Sequence, residues 1–226
     1  MSNELIPHPQ RSSLLCNPET RAPCAIVVDT SYSTYGERIG QMNAAFVDFL
    51  DALQEDDLTA LCAEVALITF GEQVKLACDF TPPDALKPPK LVASGGTPLA
   101  EAVLFTIEII ERRLAEIEAA DVDAYKPWIY LVTDGEPYSP KKLLKAARDR
   151  IRDVENAGRI GFFAVGTDDA DMDFLRWLSV RPPWRIRDMD YAAMFRWVAQ
   201  SIIVVSQSLI DVEPDLPNPE DFGLQR

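Results

Sequence analysis

The chain has 226 residues, of which 47% are hydrophobic, and its 36 acidic and 22 basic side chains give a formal net charge of −14. This length suits a single α/β domain with a sizeable core. No apolar run approaches the roughly 18 residues that a membrane-spanning helix needs. The acidic balance argues against nucleic acid or an anionic membrane as the main partner.

The two ends of the chain differ in composition from its middle. Residues 1–22 are polar, interrupted by prolines and without a positive stretch followed by an apolar one, so we expect an arm and no secretory leader. Residues 210–226 are acidic and contain prolines, and we expect a mobile tail. The four cysteines show no metal-binding or redox spacing and predict free thiols in a cytoplasmic protein. Residues 23–209 are then one domain.

Apolar runs alternate with helical patterns through this domain. Strands are predicted at residues 24–29, 64–70, 73–77, 127–133, 160–165 and 185–187. Helices are predicted at residues 35–54, 98–118, 139–156, 172–178 and 191–209. Gly71 and Glu72 predict an antiparallel hairpin between the second and third strands. The remaining alternation predicts a mainly parallel sheet with helices on both faces.

Oxygen-bearing side chains follow two of the predicted strands. The first strand ends in Asp29, and Ser31 and Ser33 come next; a later strand ends in Asp134. Thr97 lies between them in a glycine turn, Ser-Gly-Gly-Thr-Pro. Open α/β sheets bind ligands at the carboxyl ends of their strands, and hard cations prefer oxygen ligands. The pattern therefore indicates a divalent metal site.

The order Asp-x-Ser-x-Ser, then Thr, then Thr-Asp-Gly resembles the metal-ion-dependent adhesion site (MIDAS) of von Willebrand factor A (VWA) domains. The resemblance covers residues 23–208, and all five positions match. It implies a Rossmann-like, doubly wound, mainly parallel sheet with one antiparallel edge strand. It also implies bound Mg²⁺, with Mn²⁺ or Ca²⁺ as alternatives. Ser31, Ser33 and Thr97 can be direct ligands, whereas Asp29 and Asp134 balance the charge and in similar sites often act through water.

Mostly neutral ligands leave a cation electrophilic, so it can accept an acidic side chain from a protein partner. We therefore expect a metal-dependent binding module that is not an enzyme. Glu136 lies just past the last motif, where it could compete for the site or hydrogen-bond to its waters.

The turn Gly-Gly-Thr-Pro-Leu and the segment Leu-Val-Thr-Asp-Gly-Glu-Pro resemble the small intracellular bacterial branch of VWA proteins related to TerY and YegL. That resemblance implies an adaptor or regulatory role in tellurium-resistance or stress systems, beside protein kinases and phosphatases.

Other interpretations of the same residues stay open. A Mg²⁺-dependent phosphoesterase could use a metal-bound water, although the single histidine, His8, lies in the arm. In a structural subunit the metal would only stabilise the strand ends. Each motif residue can also serve as a plain helix cap or turn. The acidic run from Asp169 to Asp173 has the opening spacing of a calcium loop but lacks its glycine and closing glutamate, so we interpret Asp171 as a helix cap.

Overall fold

The computed structural model describes residues 17–134, 136–210 and 212–226. The strands are β1 (Ala22–Asp29), β2 (Ala63–Phe70), β3 (Val74–Thr81), β4 (Trp128–Thr133), β5 (Gly161–Gly166) and β6 (Trp184–Arg185). The α-helices are α1 (Glu37–Gln54), α2 (Asp57–Cys62), α3 (Leu99–Ala119), α4 (Lys141–Asn156), α5 (Met172–Leu178) and α6 (Tyr191–Ser206). Short 3₁₀ turns cover Tyr32–Thr34 and Pro219–Phe222.

The strands form one sheet in the order β3-β2-β1-β4-β5-β6. All neighbouring pairs are parallel except the β2–β3 hairpin at the edge. This confirms the predicted Rossmann-like, doubly wound sheet with one antiparallel edge strand.

The strands β1, β2, β4 and β5 are buried on both faces, which explains why they are largely continuous apolar runs rather than alternating ones. Cys24, Ile26 and Val28 of β1 belong to the core that contains α1 and α6. The alternate residues Ala25 and Val27 belong to the core that contains α3, α4 and α5.

The strand order reverses at β1, and this reversal positions the candidate site. From β1 the chain builds outward through β2 and β3, then crosses back to place β4, β5 and β6 on the other side. The crevice between the carboxyl ends of β1 and β4 is therefore the topological switch point, where doubly wound sheets bind ligands.

The carboxyl-terminal tail differs from the expected mobile segment. Leu224 is only 2% exposed, and the indole Nε1 of Trp197 donates to the carbonyl oxygen of Pro217 at 3.0 Å. Gln225 exchanges main-chain hydrogen bonds with Arg185, at 3.0 and 2.7 Å. The expectation was wrong here because an apolar side chain and a buried indole in α6 tie the acidic segment to the domain.

The short helix α2 was not predicted; it begins after Asp56, whose carboxylate accepts the N–H of Thr59. Among the described residues, Cys24, Cys62 and Cys78 are free thiols. Cys16 and most of the predicted arm lie outside the described residues. Over the described part of the chain, no helix combines the length and apolarity needed to cross a bilayer.

Candidate metal centre

The loops around the switch point are joined by main-chain hydrogen bonds. The N–H of Thr30 donates to the carbonyl oxygen of Phe70 at 2.7 Å, and the N–H of Ser94 donates to that of Thr30 at 2.7 Å. The N–H of Tyr32 donates to the carbonyl oxygen of Gly95 at 3.1 Å. The loop after β1 is therefore fixed against both the end of β2 and the glycine turn before α3.

Two glycines permit this close approach. A Cβ atom on Gly71 would lie 2.4 Å from the carbonyl oxygen of Ser94 and 2.7 Å from that of Thr30. Gly95 has a φ of +71°, and a Cβ there would lie 2.3 Å from the Cα of Glu72. Neither position can accept a side chain unless the loops move apart.

Asp29 lies at the bottom of the crevice and is only 1% exposed. Its Oδ1 accepts the N–H of Ser31 at 2.8 Å, and its Oδ2 accepts the hydroxyl of Thr133, at the end of β4, at 2.7 Å. Burial, with a smaller contribution from the charge of Asp134, raises the pKa of Asp29 to about 6. The hydrogen bonds with Ser31 and Thr133 act in the opposite direction and lower it. Its ionised form therefore lacks compensating positive charge.

The hydroxyls of the first motif connect to the carboxylate of the last one. The Oγ atoms of Ser31 and Ser33 are 2.8 Å apart, and the hydroxyl of Ser33 donates to Oδ1 of Asp134 at 2.9 Å. Asp134 and Ser31 are buried, whereas Ser33 is exposed. Three residues that were predicted from motifs about a hundred positions apart thus form one hydrogen-bonded row of oxygen atoms beside Asp29.

Thr97, the fifth predicted residue, is 7% exposed and precedes α3. Its carbonyl oxygen accepts the N–H of Tyr138 at 2.8 Å, which links the glycine turn to the loop after β4. The hydroxyl of Ser139, two residues before α4, accepts the N–H of Ala100 in the first turn of α3 at 3.2 Å. The loop after β4 thus packs against the start of α3.

Arg38, in the first turn of α1, is a site residue that the motif analysis missed. Its Nη1 donates to Oδ2 of Asp134 at 3.0 Å, and its Nη2 contacts the carboxylate of Asp169. A sequence signal did exist, because a cation in the first turn of a helix opposes the helix dipole and needs another partner.

Two buried hydroxyls, those of Thr167 and Tyr191, have no hydrogen-bond partner among the described residues. Tyr191 lies in the electrostatic neighbourhood of Asp134, Arg38 and Asp29, and burial, with the charge of Asp134, raises its pKa to about 12. Buried polar atoms are usually satisfied by protein, water or a ligand. The crevice therefore has unused hydrogen-bonding capacity next to its carboxylates.

This donor set fits a hard divalent cation on chemical grounds. It offers hydroxyl oxygens and a buried carboxylate without compensating charge, which are the ligands that Mg²⁺ prefers. Within the described ranges there is no group of three or more His, Cys, Asp or Glu side chains arranged for a metal, so the site depends on the serine and threonine hydroxyls. The calcium-loop alternative fails at Asp171, which caps α5 by accepting the N–H of Phe174 at 2.9 Å, as predicted.

Exposed tyrosines adjoin the same loops. Tyr32 and Tyr35 are each 69% exposed, and their rings stack with centroids 5.7 Å apart. Tyr138 is 85% exposed and lies beside Gly96 in the glycine turn. Exposed aromatic rings are common at protein-binding surfaces.

The profile of the von Willebrand factor type A domain matches residues 25–194. A comparison with curated protein sequences finds no match.

Among solved structures, the fold is similar to the vWF domain of the type V pili tip protein Mfa5 from Porphyromonas gingivalis, with a TM-score of 0.63, 14% identity and coverage of 86% of this chain and 99% of that one. The pilus adhesin SpaC from Lactobacillus rhamnosus GG has a TM-score of 0.63 at 15% identity, over 83% of this chain and 31% of that one. Proximal thread matrix protein 1 from the mussel byssus, with a zinc-occupied MIDAS motif, has a TM-score of 0.52 at 13% identity, over 81% and 48%. This chain thus spans less than half of the last two proteins, and these likenesses show the fold alone.

Proposed function

Because this chain belongs to the von Willebrand factor type A domain family, we propose that it is a metal-dependent protein-binding module without enzymatic activity. The observation that carries this proposal is the hydrogen-bonded row of Ser31, Ser33 and Asp134 beside the buried Asp29 at the switch point. Such a row brings oxygen donors from separate loops to one place.

The proposed MIDAS consists of Asp29, Ser31, Ser33, Thr97 and Asp134. The three hydroxyls would bind the cation without adding charge, and the two carboxylates would balance it. When bound, the cation supplies an electrophilic position for an acidic side chain of a partner protein. We propose Mg²⁺ as the physiological ion, with Mn²⁺ and Ca²⁺ as alternatives, because all the donors are oxygen. Zinc at the MIDAS of the byssus protein supports occupancy by a divalent ion in this family.

The exposed tyrosines would form the rim of the partner surface. Tyr32 lies on the loop that carries Ser31 and Ser33, and Tyr138, in the loop after β4, lies beside the glycine turn that carries Thr97. A protein whose carboxylate reaches the metal therefore also meets these rings. Aromatic side chains contribute strongly to binding when a partner covers them. They would add affinity that does not depend on the cation.

The resemblance to the TerY- and YegL-like branch supports an adaptor role in the cytoplasm, in a tellurium-resistance or stress system that includes a kinase or phosphatase. The net charge of −14 supports a protein partner rather than nucleic acid or an anionic membrane.

The first experiment is direct measurement of metal binding by titration calorimetry with Mg²⁺, Mn²⁺ and Ca²⁺. We expect one site in the wild-type protein and loss of binding in Asp29→Asn and Ser33→Ala. The matched control is Asp173→Asn, which removes the same charge from a side chain that is 93% exposed. Equal binding by Asp29→Asn and the wild type would refute the proposed site.

Partner capture from a cell lysate tests the second part of the proposal. We expect a protein that is retained in Mg²⁺ and released by a chelator, and that Ser33→Ala fails to retain. Tyr138→Ala should weaken retention while leaving the cation affinity unchanged. A partner that the wild type and Ser33→Ala retain equally, with or without metal, would move binding to another face and leave the metal a structural role.

A further inference from the structure

Arg38 is held between two acidic loops by tertiary contacts alone. It lies one residue inside α1, and its two partners, Asp134 and Asp169, are 96 and 131 residues away along the chain. The side chain of Arg38 is 25% exposed and that of Asp134 only 1%. The contact with Asp134 is therefore a partly buried ion pair, less screened by solvent than a surface pair.

Both oxygens of Asp134 are engaged in this arrangement. Oδ1 accepts the hydroxyl of Ser33, and Oδ2 accepts the guanidinium of Arg38. Arg38 thus supplies the positive charge that the buried Asp134 needs when no metal is bound. Asp29, by contrast, accepts its hydrogen bonds from the neutral groups of Ser31 and Thr133.

A divalent cation that shares Asp134 must come close to this guanidinium. Arginine stays charged at any physiological pH, so it cannot reduce the repulsion by losing a proton. Two positive charges at short range in a poorly solvated crevice repel each other strongly. The cation must either tolerate this repulsion or displace Arg38 towards Asp169, whose carboxylate is 62% exposed.

We propose that Arg38 is a built-in counter-cation of Asp134, which stabilises the metal-free crevice and lowers its affinity for divalent cations. This inference rests on the proposed metal site. Because the affinity is lowered, the occupancy of the site changes with the cation concentration instead of staying saturated. Arg38 is thus a positioning residue that sets the occupancy of the site.

The test compares three variants of the full chain after treatment with a chelator. Arg38→Gln removes the charge and keeps a hydrogen-bonding side chain. Arg38→Lys keeps the charge but loses the fork that reaches both carboxylates. Arg112→Gln is the matched control, because Arg112 pairs with Asp79 and Glu116 and lies 13 residues, or roughly 20 Å, along α3 from the end that faces the site.

We expect calorimetry to show that Arg38→Gln binds Mg²⁺ and Mn²⁺ about tenfold more tightly than the wild type. Arg112→Gln should stay within about twofold of the wild type, because its charge is distant and screened. Arg38→Lys should fall between the wild type and Arg38→Gln. In chelator, Arg38→Gln should unfold at a lower temperature than the wild type, since Asp134 has lost its partner. Circular dichroism is the check that the variant is folded.

Three results would contradict the inference. If the wild type binds metal and Arg38→Gln binds equally or less tightly, Arg38 is not a competitor, although the metal site stands. If Arg112→Gln gains as much affinity, only the overall net charge matters. If neither the wild type nor Arg38→Gln binds any cation, both the metal site and the role of Arg38 are refuted.

Discussion

Replacing Asp29 with asparagine should stabilise the metal-free protein at neutral pH, even though it removes a proposed metal-binding residue. Asparagine has nearly the same shape, and its amide can serve the two hydrogen bonds with Ser31 and Thr133. The substitution removes the negative charge of a side chain that is only 1% exposed and that no cation neutralises in the metal-free protein.

The size of the effect follows from the pKa of Asp29, which burial raises from 3.8 to about 6. Between these two pH values the folded protein holds a proton that the unfolded chain has released. The free energy of unfolding therefore falls as pH rises through this window, by about 1.4 kcal/mol per pH unit. The metal-free wild type should lose about 3 kcal/mol between about pH 3.5 and pH 7, whereas Asp29→Asn escapes this loss.

The assay is urea unfolding in chelator at a series of pH values, followed by tryptophan fluorescence. Near the lower end of the window the two proteins should be equally stable, and at neutral pH the variant should be more stable. Saturating Mg²⁺ should stabilise the wild type by about 3 kcal/mol at a concentration about a hundred times the dissociation constant, and leave the variant unchanged. The exposed control Asp173→Asn should follow the wild type. Parallel pH profiles for the wild type and Asp29→Asn in chelator would refute the reasoning.

Three further predictions concern the support of the site and the fold. Glu64→Gln should cost about 3–5 kcal/mol in urea unfolding, because the buried Glu64 accepts two hydrogen bonds from Arg113, at 2.8 and 2.5 Å; a cost as small as that of an exposed ion pair would contradict this. Gly95→Ala should lower both the stability and the cation affinity more than Gly36→Ala does, because Gly36 has a φ of +90° but no atom within 4 Å of a new Cβ. Equal losses would show that the loops move apart at little cost and that the contact with Glu72 does not matter. Leu224→Ala should cost about 2–3 kcal/mol, and no loss on thermal unfolding would mean that the tail is not docked in solution.

Much of the fold followed from local patterns in the sequence. The apolar runs of β1, β4 and β5 predicted buried parallel strands, and α5 begins and ends where its pattern predicted. The boundaries were less accurate where an end depends on packing. The last helix ends at Ser206 rather than 209, and β6 begins at Trp184 rather than 185, because such ends are set by neighbouring elements rather than by propensity.

In the candidate site, too, some features followed from local patterns and others depended on packing. Asp29, Ser31, Ser33, Thr97 and Asp134 were named from their motifs, and the structure brings Ser31, Ser33 and Asp134 into hydrogen-bonding contact beside Asp29. The role of the five residues as metal ligands stays a prediction that the titrations test. The motifs predict this proximity because the end of a parallel strand fixes where the next few side chains lie.

The sequence by itself determined which chemical groups stand at the ends of β1 and β4, since short-range periodicity and turn chemistry decide those positions. The tertiary structure decided which of them meet and what surrounds them. The guanidinium of Arg38 reaches Asp134 and Asp169, and the indole of Trp197 holds the tail at Pro217. These contacts join residues that are 96, 131 and 20 positions apart. No local pattern specifies them, because they depend on how the sheet and its helices pack together.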